Sequence, residues 1–97
     1  MSLYFSANIT IINEKLYQKY LDRANEVFAK FNGEYLAVDE SPRLLEGSRK
    51  HGRMVIIKFE TKEDFERWYF SDEYQELLVF RLAAADCDAI LVKGLDA

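Results

Sequence analysis

A single cysteine, a single histidine and four scattered glycines show what this 97-residue chain does without. Cys87 alone cannot close an internal disulfide, which excludes the small secreted scaffolds that such bridges hold together. One histidine and one cysteine are too few for an ordinary zinc site, although carboxylates can hold a surface ion. A haem usually takes an axial histidine, and His51 sits in a charged stretch, so no haem is expected. Gly33, Gly47, Gly52 and Gly94 stand apart, so no phosphate-cradling loop forms. No cofactor and no metal is expected on these grounds. Long apolar runs are missing as well: Met54 to Ile57 and Leu77 to Phe80 are four residues each, whereas a membrane-spanning helix needs ~20. A basic excess is also missing, since the net charge is −4, which argues against a general nucleic-acid binder. No basic segment followed by a hydrophobic one opens the chain, so no secretory signal is expected. With the lone cysteine, this makes the reading cytoplasmic.

What is present is apolar and aromatic. Hydrophobic residues make up 49% of the chain, with six Tyr, seven Phe and one Trp, which describes one globular domain over residues 1–97 rather than a disordered chain. Leu3 to Ile12 alternates as a strand, with Phe5, Ala7, Ile9 and Ile11 on one side and Tyr4, Ser6, Asn8 and Thr10 on the other. Asn13 is a suitable N-cap, with Glu14 behind it at the positive end of a helix. That helix carries Tyr17, Tyr20, Leu21, Ala24, Val27, Phe28 and Phe31 at three- and four-residue spacing. Asn32-Gly33 ends it, glycine being the residue that accepts a left-handed cap. Strands follow at Glu34 to Val38 and Arg53 to Glu60. Thr61 caps a short helix with Phe65, Trp68 and Tyr69. Ser71, followed by Asp72 and Glu73, restarts a helix bearing Tyr74, Leu77, Leu78, Arg81, Leu82 and Ala85. Ala89 to Lys93 is a closing strand. The order β-α-β-β-α-β is the ferredoxin-like split unit, an α+β fold with a four-stranded antiparallel sheet.

Helices cover only one face of such a sheet, so a monomer should show a polar second face. Here the strands are apolar on both sides: Met54 and Ile56 oppose Val55, Ile57 and Phe59, while Ile90 and Val92 oppose Ala89 and Leu91. The expected cover is a second copy, giving a homodimer with its open sheet faces packed together.

Several segments together resemble the family of domain of unknown function 1330, in the dimeric α/β-barrel (ferredoxin-like) superfamily. They are Phe31-Asn32-Gly33-Glu34-Tyr35-Leu36-Ala37, Leu45-Glu46-Gly47, Val55-Ile56-Ile57-Lys58-Phe59, and Trp68-Tyr69-Phe70-Ser71-Asp72-Glu73-Tyr74 with Arg81. The resemblance runs over nearly the whole chain. Asn32 departs from the second glycine common in the family, and Phe70-Ser71-Asp72 departs from its serine-proline helix start. The resemblance implies the fold and a dimeric barrel. The wider superfamily holds cofactor-independent monooxygenases, lactone isomerases and haem-binding enzymes, and it fixes no reaction for this chain.

Arg81 is the sharpest candidate residue. It follows Leu77 by four residues and Tyr74 by seven, so it lies on the core-facing stripe, where a charge needs a partner. One reading ties it to Glu46 or Asp39 of the connection between the second and third strands. The other has its planar fork hold a ligand carboxylate or enolate. Trp68, Tyr69 and Tyr74 flank the helix break and are candidate ligand-stacking residues as well as core. The long connection from Asp39 to Gly52 offers Asp39 and Glu46 as general bases, and His51 as a group titrating near neutrality; the plain alternative is a solvated loop. Asn8, on the polar side of the first strand, is a candidate for lining a polar cavity or for bonding across the dimer seam.

Three functions follow from these residues. The first is a homodimer that binds a small anionic or phenolic organic ligand between helices and sheet. The second is a cofactor-independent enzyme, an isomerase or monooxygenase using the same pocket, with Arg81 holding the anion while Asp39, Glu46 or His51 moves a proton. The third is a structural or interaction module with no ligand. A carboxylate or histidine in the pocket favours the second, and an Arg81 fully paired to Glu46 favours the third.

Overall fold

The computed structural model describes residues 1–48 and 52–96. Seven elements follow one another: β1 (Leu3–Ile11), α1 (Glu14–Ala29), β2 (Glu34–Asp39), β3 (Arg53–Phe59), α2 (Lys62–Tyr69), α3 (Asp72–Ala84) and β4 (Ala85–Lys93). The strands form one sheet in the order β2-β3-β1-β4, and all three pairings are antiparallel. This is the ferredoxin-like α+β architecture. The sheet is open at β2 and β4, so the chain does not itself close a barrel.

The helix starts follow from short polar side chains placed before each helix. Asn13 Oδ1 accepts the Leu16 N–H at 3.1 Å, and Thr61 Oγ1 accepts the Asp64 N–H at 3.0 Å. Ser71 works in both directions at the α2–α3 break: its Oγ accepts the Tyr74 N–H at 3.1 Å and donates to the Trp68 carbonyl at 2.8 Å. One hydroxyl thus satisfies an orphan group from each helix.

At the end of α1 the structure corrects one expectation. Asn32, not Gly33, takes the left-handed conformation, with φ of 61°. Gly33 is required for a different reason: a Cβ there would lie 2.7 Å from Cδ1 of the Phe28 ring. A second correction concerns β4, which begins at Ala85 rather than Ala89. Asp86 and Asp88 interrupt the apolar pattern, yet they pair with Thr10 and Asn8 on the open face, where polar residues fit.

The register divides the sheet cleanly. Leu3, Phe5, Ala7 and Ile9 of β1 and Val55, Ile57 and Phe59 of β3 face the helices and are buried. Directly opposed residues point the same way in an antiparallel pair, so Ser6, Ile56 and Ile90 share the other face, as do Tyr4, Lys58 and Val92. That face carries an apolar patch uncovered within the chain: Ile90 is 61% exposed and Val92 44%. The ends of the chain are tied together. Ser2 donates from its backbone N–H and its hydroxyl to the two carboxylate oxygens of Asp96, each at 3.0 Å, and its carbonyl accepts the Gly94 N–H. These bonds hold the Asp96 carboxyl below the usual carboxylate range. Among the described residues no helix is long and apolar enough to cross a membrane.

Candidate functional site

The stripe Tyr74, Leu77, Leu78, Arg81 and Ala84 is the buried side of α3. Tyr74 packs beneath the aromatic group of Phe5, Phe28, Phe59 and Trp68, with the Trp68 and Tyr74 ring centres 4.2 Å apart. Trp68 and Tyr74 are each only 1% exposed. Tyr69 stacks on Phe65 with centroids 5.6 Å apart. The segment around the helix break is therefore the centre of the core. Of the stacking candidates, only Tyr74 reaches toward a polar region, through its hydroxyl.

One helical turn beyond Leu77, that region is a narrow cleft between α1, α3 and the sheet. Tyr17, Tyr20 and Leu21 of α1 and Tyr35 of β2 form its sides, and Arg53 and Arg81 reach it from β3 and α3. Its volume is about 20 Å³, room for one water-sized group. A groove of about 320 Å³, lined by Leu21, Asn25, Tyr35, Val38 and Arg53, shares three of these residues and continues the cleft outward between α1 and β2.

Arg81 is 3% exposed and makes no ion pair among the described residues. Its Nε and Nη1 are buried without a hydrogen-bond partner. The guanidinium carbon lies 5.8 Å from the centre of the Tyr20 ring, a cation–π distance. The Tyr20 and Tyr74 hydroxyls share a hydrogen bond of 2.9 Å with each other. Burial weighs against the Arg81 charge, while Tyr74 and Tyr20, acting as charges only where they ionise, and a hydrogen bond with Tyr74 raise its pKa. Burial also raises the phenol pKa values of Tyr17, Tyr20, Tyr35 and Tyr74, so all four are neutral near pH 7. The cleft therefore presents a fixed cation, neutral phenols and no counter-charge at Arg81.

Arg53 enters at the same face because it shares strand parity with Val55, Ile57 and Phe59. It sits 6.0 Å from the centre of the Tyr17 ring and forms an ion pair with Glu40 through Nη1. Its Nε is buried without a partner. Helical spacing puts Tyr17 and Tyr20 on the inner stripe of α1, and strand parity puts Arg53 and Tyr35 on the inner side of the sheet, but neither pattern distinguishes a cleft wall from core.

The proposed proton-transfer residues are elsewhere. Asp39 and Glu46 are exposed and do not line the cleft, so the expected tie from Arg81 to either one is not formed. The Asp39 carboxylate instead accepts the Ser41 N–H at 2.9 Å, within its own turn. His51 lies outside the described residues. Asn8 is on the opposite face of the sheet from the cleft, where its Oδ1 accepts the Gly52 N–H at 3.0 Å and anchors the end of the connection. Among the described residues no carboxylate or histidine lines the cleft, and no cluster of His, Cys, Asp and Glu is placed to hold a metal.

The family model described as Domain of unknown function (DUF1330) matches residues 2–95. No functionally curated protein matches the chain. Among solved structures, a protein of unknown function from Rhodopseudomonas palustris, RPA0582, is similar over 97% of this chain and 82% of its own, with a TM-score of 0.84 and 17% identity. A dimeric ferredoxin-like protein of unknown function from Jannaschia sp. CCS1 covers 97% of this chain and 100% of its own, at a TM-score of 0.73 and 10% identity. SnoaB, a cofactor-independent oxygenase from Streptomyces nogalater, covers 96% and 92%, at 0.68 and 14% identity. These likenesses establish the fold.

Proposed function

The chain belongs to the DUF1330 family, and from the geometry of its cleft we propose that it is a homodimer that binds a small anionic organic ligand, with Arg81 as the seat of the anionic group. One observation carries this reading: a guanidinium that is 3% exposed leaves two nitrogens without partners beside a cleft. An uncompensated buried charge is among the most costly features a core can hold. A ligand carboxylate or phenolate arriving at the cleft supplies both the missing charge and the missing acceptors. The inner volume takes one oxygen atom of such a head group, and the outer groove suits its body.

Dimerisation is the second part of the proposal. The exposed Ile90 and Val92, with Ile56 and Tyr4 beside them, give the open face an apolar surface that a second copy would cover. Two such sheets facing each other would make the barrel that one chain leaves open. The dimeric relative from Jannaschia supports this. The single free Cys87 supports a reducing, cytoplasmic setting.

A second reading keeps the same cleft for a cofactor-independent enzyme. An unpaired cation would also stabilise an enolate or phenolate formed during a reaction, and SnoaB is an oxygenase on this fold. The absence of a carboxylate or histidine at the cleft, among the described residues, favours binding over proton transfer. The ligand-free module is disfavoured by the unpaired Arg81.

Mass spectrometry of protein purified under native conditions tests the proposal. A co-purifying organic acid that binds wild type and is lost from Arg81→Ala is the expected result. An identified ligand whose affinity is unchanged in Arg81→Ala would remove Arg81 from the site.

A further inference from the structure

Arg53 carries an assignment of its own, which rests on the reading of Arg81 as the anion seat. Both arginines line the inner cleft, and each has a buried Nε with no partner. They stand over neighbouring rings, Arg53 over Tyr17 and Arg81 over Tyr20, and these ring centres are 5.6 Å apart. Two cations are thus set in a row along one wall of α1.

Their satisfaction differs. Arg81 makes no ion pair among the described residues, while Arg53 is engaged at Nη1 by Glu40. Glu40 comes from the connection beyond β2, and its side chain is 66% exposed. A pairing to so solvated a carboxylate is weak and replaceable. It also leaves the Nε of Arg53 without a partner. A carboxylate grips a guanidinium most firmly by two parallel bonds, and Nε with a neighbouring Nη is one such fork. Arg53 further belongs to both the inner cleft and the outer groove, so it stands at the neck through which a ligand body would pass.

We infer that Arg53 is a second recognition residue and that the ligand is a diacid, with one carboxylate at Arg81 and the other on Arg53 at the neck, in competition with Glu40. Glu40 is then a resident carboxylate that holds Arg53 until the ligand arrives. The preference for two acidic groups would be set at Arg53, and the affinity for the first at Arg81.

Calorimetric titration of the intact protein with succinate, glutarate, adipate and pimelate, each against the monoacid of equal length, separates the two roles. At the best-fitting length the diacid should bind about tenfold more tightly than its monoacid, the gain expected for one further charge-assisted pairing. Arg53→Met should abolish that preference, whereas Arg81→Met should abolish binding of both. Glu40→Gln should strengthen diacid binding more than monoacid binding; this variant decides the matter if circular dichroism shows Arg53→Met to be unfolded. Diacids no better than monoacids in wild type, with monoacid binding still dependent on Arg81, would overturn the role of Arg53 and leave the anion seat standing. Failure of both series to bind at millimolar concentration would remove the anion seat, and this inference with it.

Discussion

The guanidinium of Arg81 lies over the Tyr20 ring at 5.8 Å, while the Tyr20 hydroxyl is bonded to the Tyr74 hydroxyl at 2.9 Å. The aromatic face supports the charge, and the Tyr20–Tyr74 bond fixes α1 against α3 at the depth where Arg81 sits. Nothing in this arrangement supplies an acceptor to Nε or Nη1. The cation is held by packing, by the Tyr20 ring and by Tyr74, with two buried nitrogens left without partners.

A residue kept for binding rather than for folding should be replaceable with a gain in stability. Arg81→Met keeps much of the side-chain volume and removes a buried unpaired charge, so it should stabilise the fold by about 1–3 kcal/mol. The urea midpoint of wild type and variant, both ligand-free, measures this directly. A loss of stability would mean that Arg81 serves the core.

The Tyr20–Tyr74 pair should behave as a unit. Tyr20→Phe leaves the Tyr74 hydroxyl buried without its partner and should cost about 1–2 kcal/mol. Converting both residues to Phe should cost less than the sum of the single changes, since neither hydroxyl is left without the other. Thermal or urea unfolding of the three variants completes the cycle.

Alkaline stability follows from four phenols at and beside the cleft. Tyr17, Tyr20, Tyr35 and Tyr74 have pKa values raised above the ordinary 10.0, first of all by burial. Above that pH the unfolded chain gives up protons that the folded chain keeps, so the unfolded state binds fewer and stability falls as pH rises. Below it the contribution is fully present. Absorbance of tyrosinate should therefore show the buried Tyr17 and Tyr74 titrating only with cooperative unfolding. Their smooth ionisation in the folded protein near pH 10 would contradict the burial described.

The open face should govern assembly. Ile90 is 61% exposed and packs on no helix, so Ile90→Asp leaves the fold unchanged by circular dichroism. In the proposed dimer it would place a charge between two sheets. Sedimentation should show wild type as a dimer at micromolar concentration and the variant as a monomer. A wild-type monomer at that concentration would remove the dimer.

Much of this was legible from residue spacing, and the failures have physical causes. Ser71 with Asp72 and Glu73 announced the helix restart, and the four-residue step from Leu77 put Arg81 inward. Spacing says that a side chain faces the core, not what it meets there. Trp68 and Tyr74 were thus correctly placed on the inner stripe while their role as core rather than cleft wall depended on Phe5, Phe28 and Phe59 from other elements. Arg53 shares strand parity with Val55 and Ile57 but is the first residue of its strand, where a polar side chain is equally compatible with a solvated loop. Asp39 and Glu46 were candidates by loop length alone, and loop length carries no direction; both are exposed. Asp86 and Asp88 hid the first half of β4 because the open face accepts charge at that end.

The central claim, that Arg81 is an unsatisfied cation awaiting an acid, is tested most directly by the Nε–Hε resonance of Arg81 in a proton–nitrogen spectrum, assigned with Arg81→Met and followed through a glutarate titration. The claim predicts a signal typical of an Nε–H without a carboxylate partner in the free protein, moving downfield to saturation with the acid. A resonance that is already carboxylate-bonded in the free protein, or that does not move throughout the titration, would contradict it.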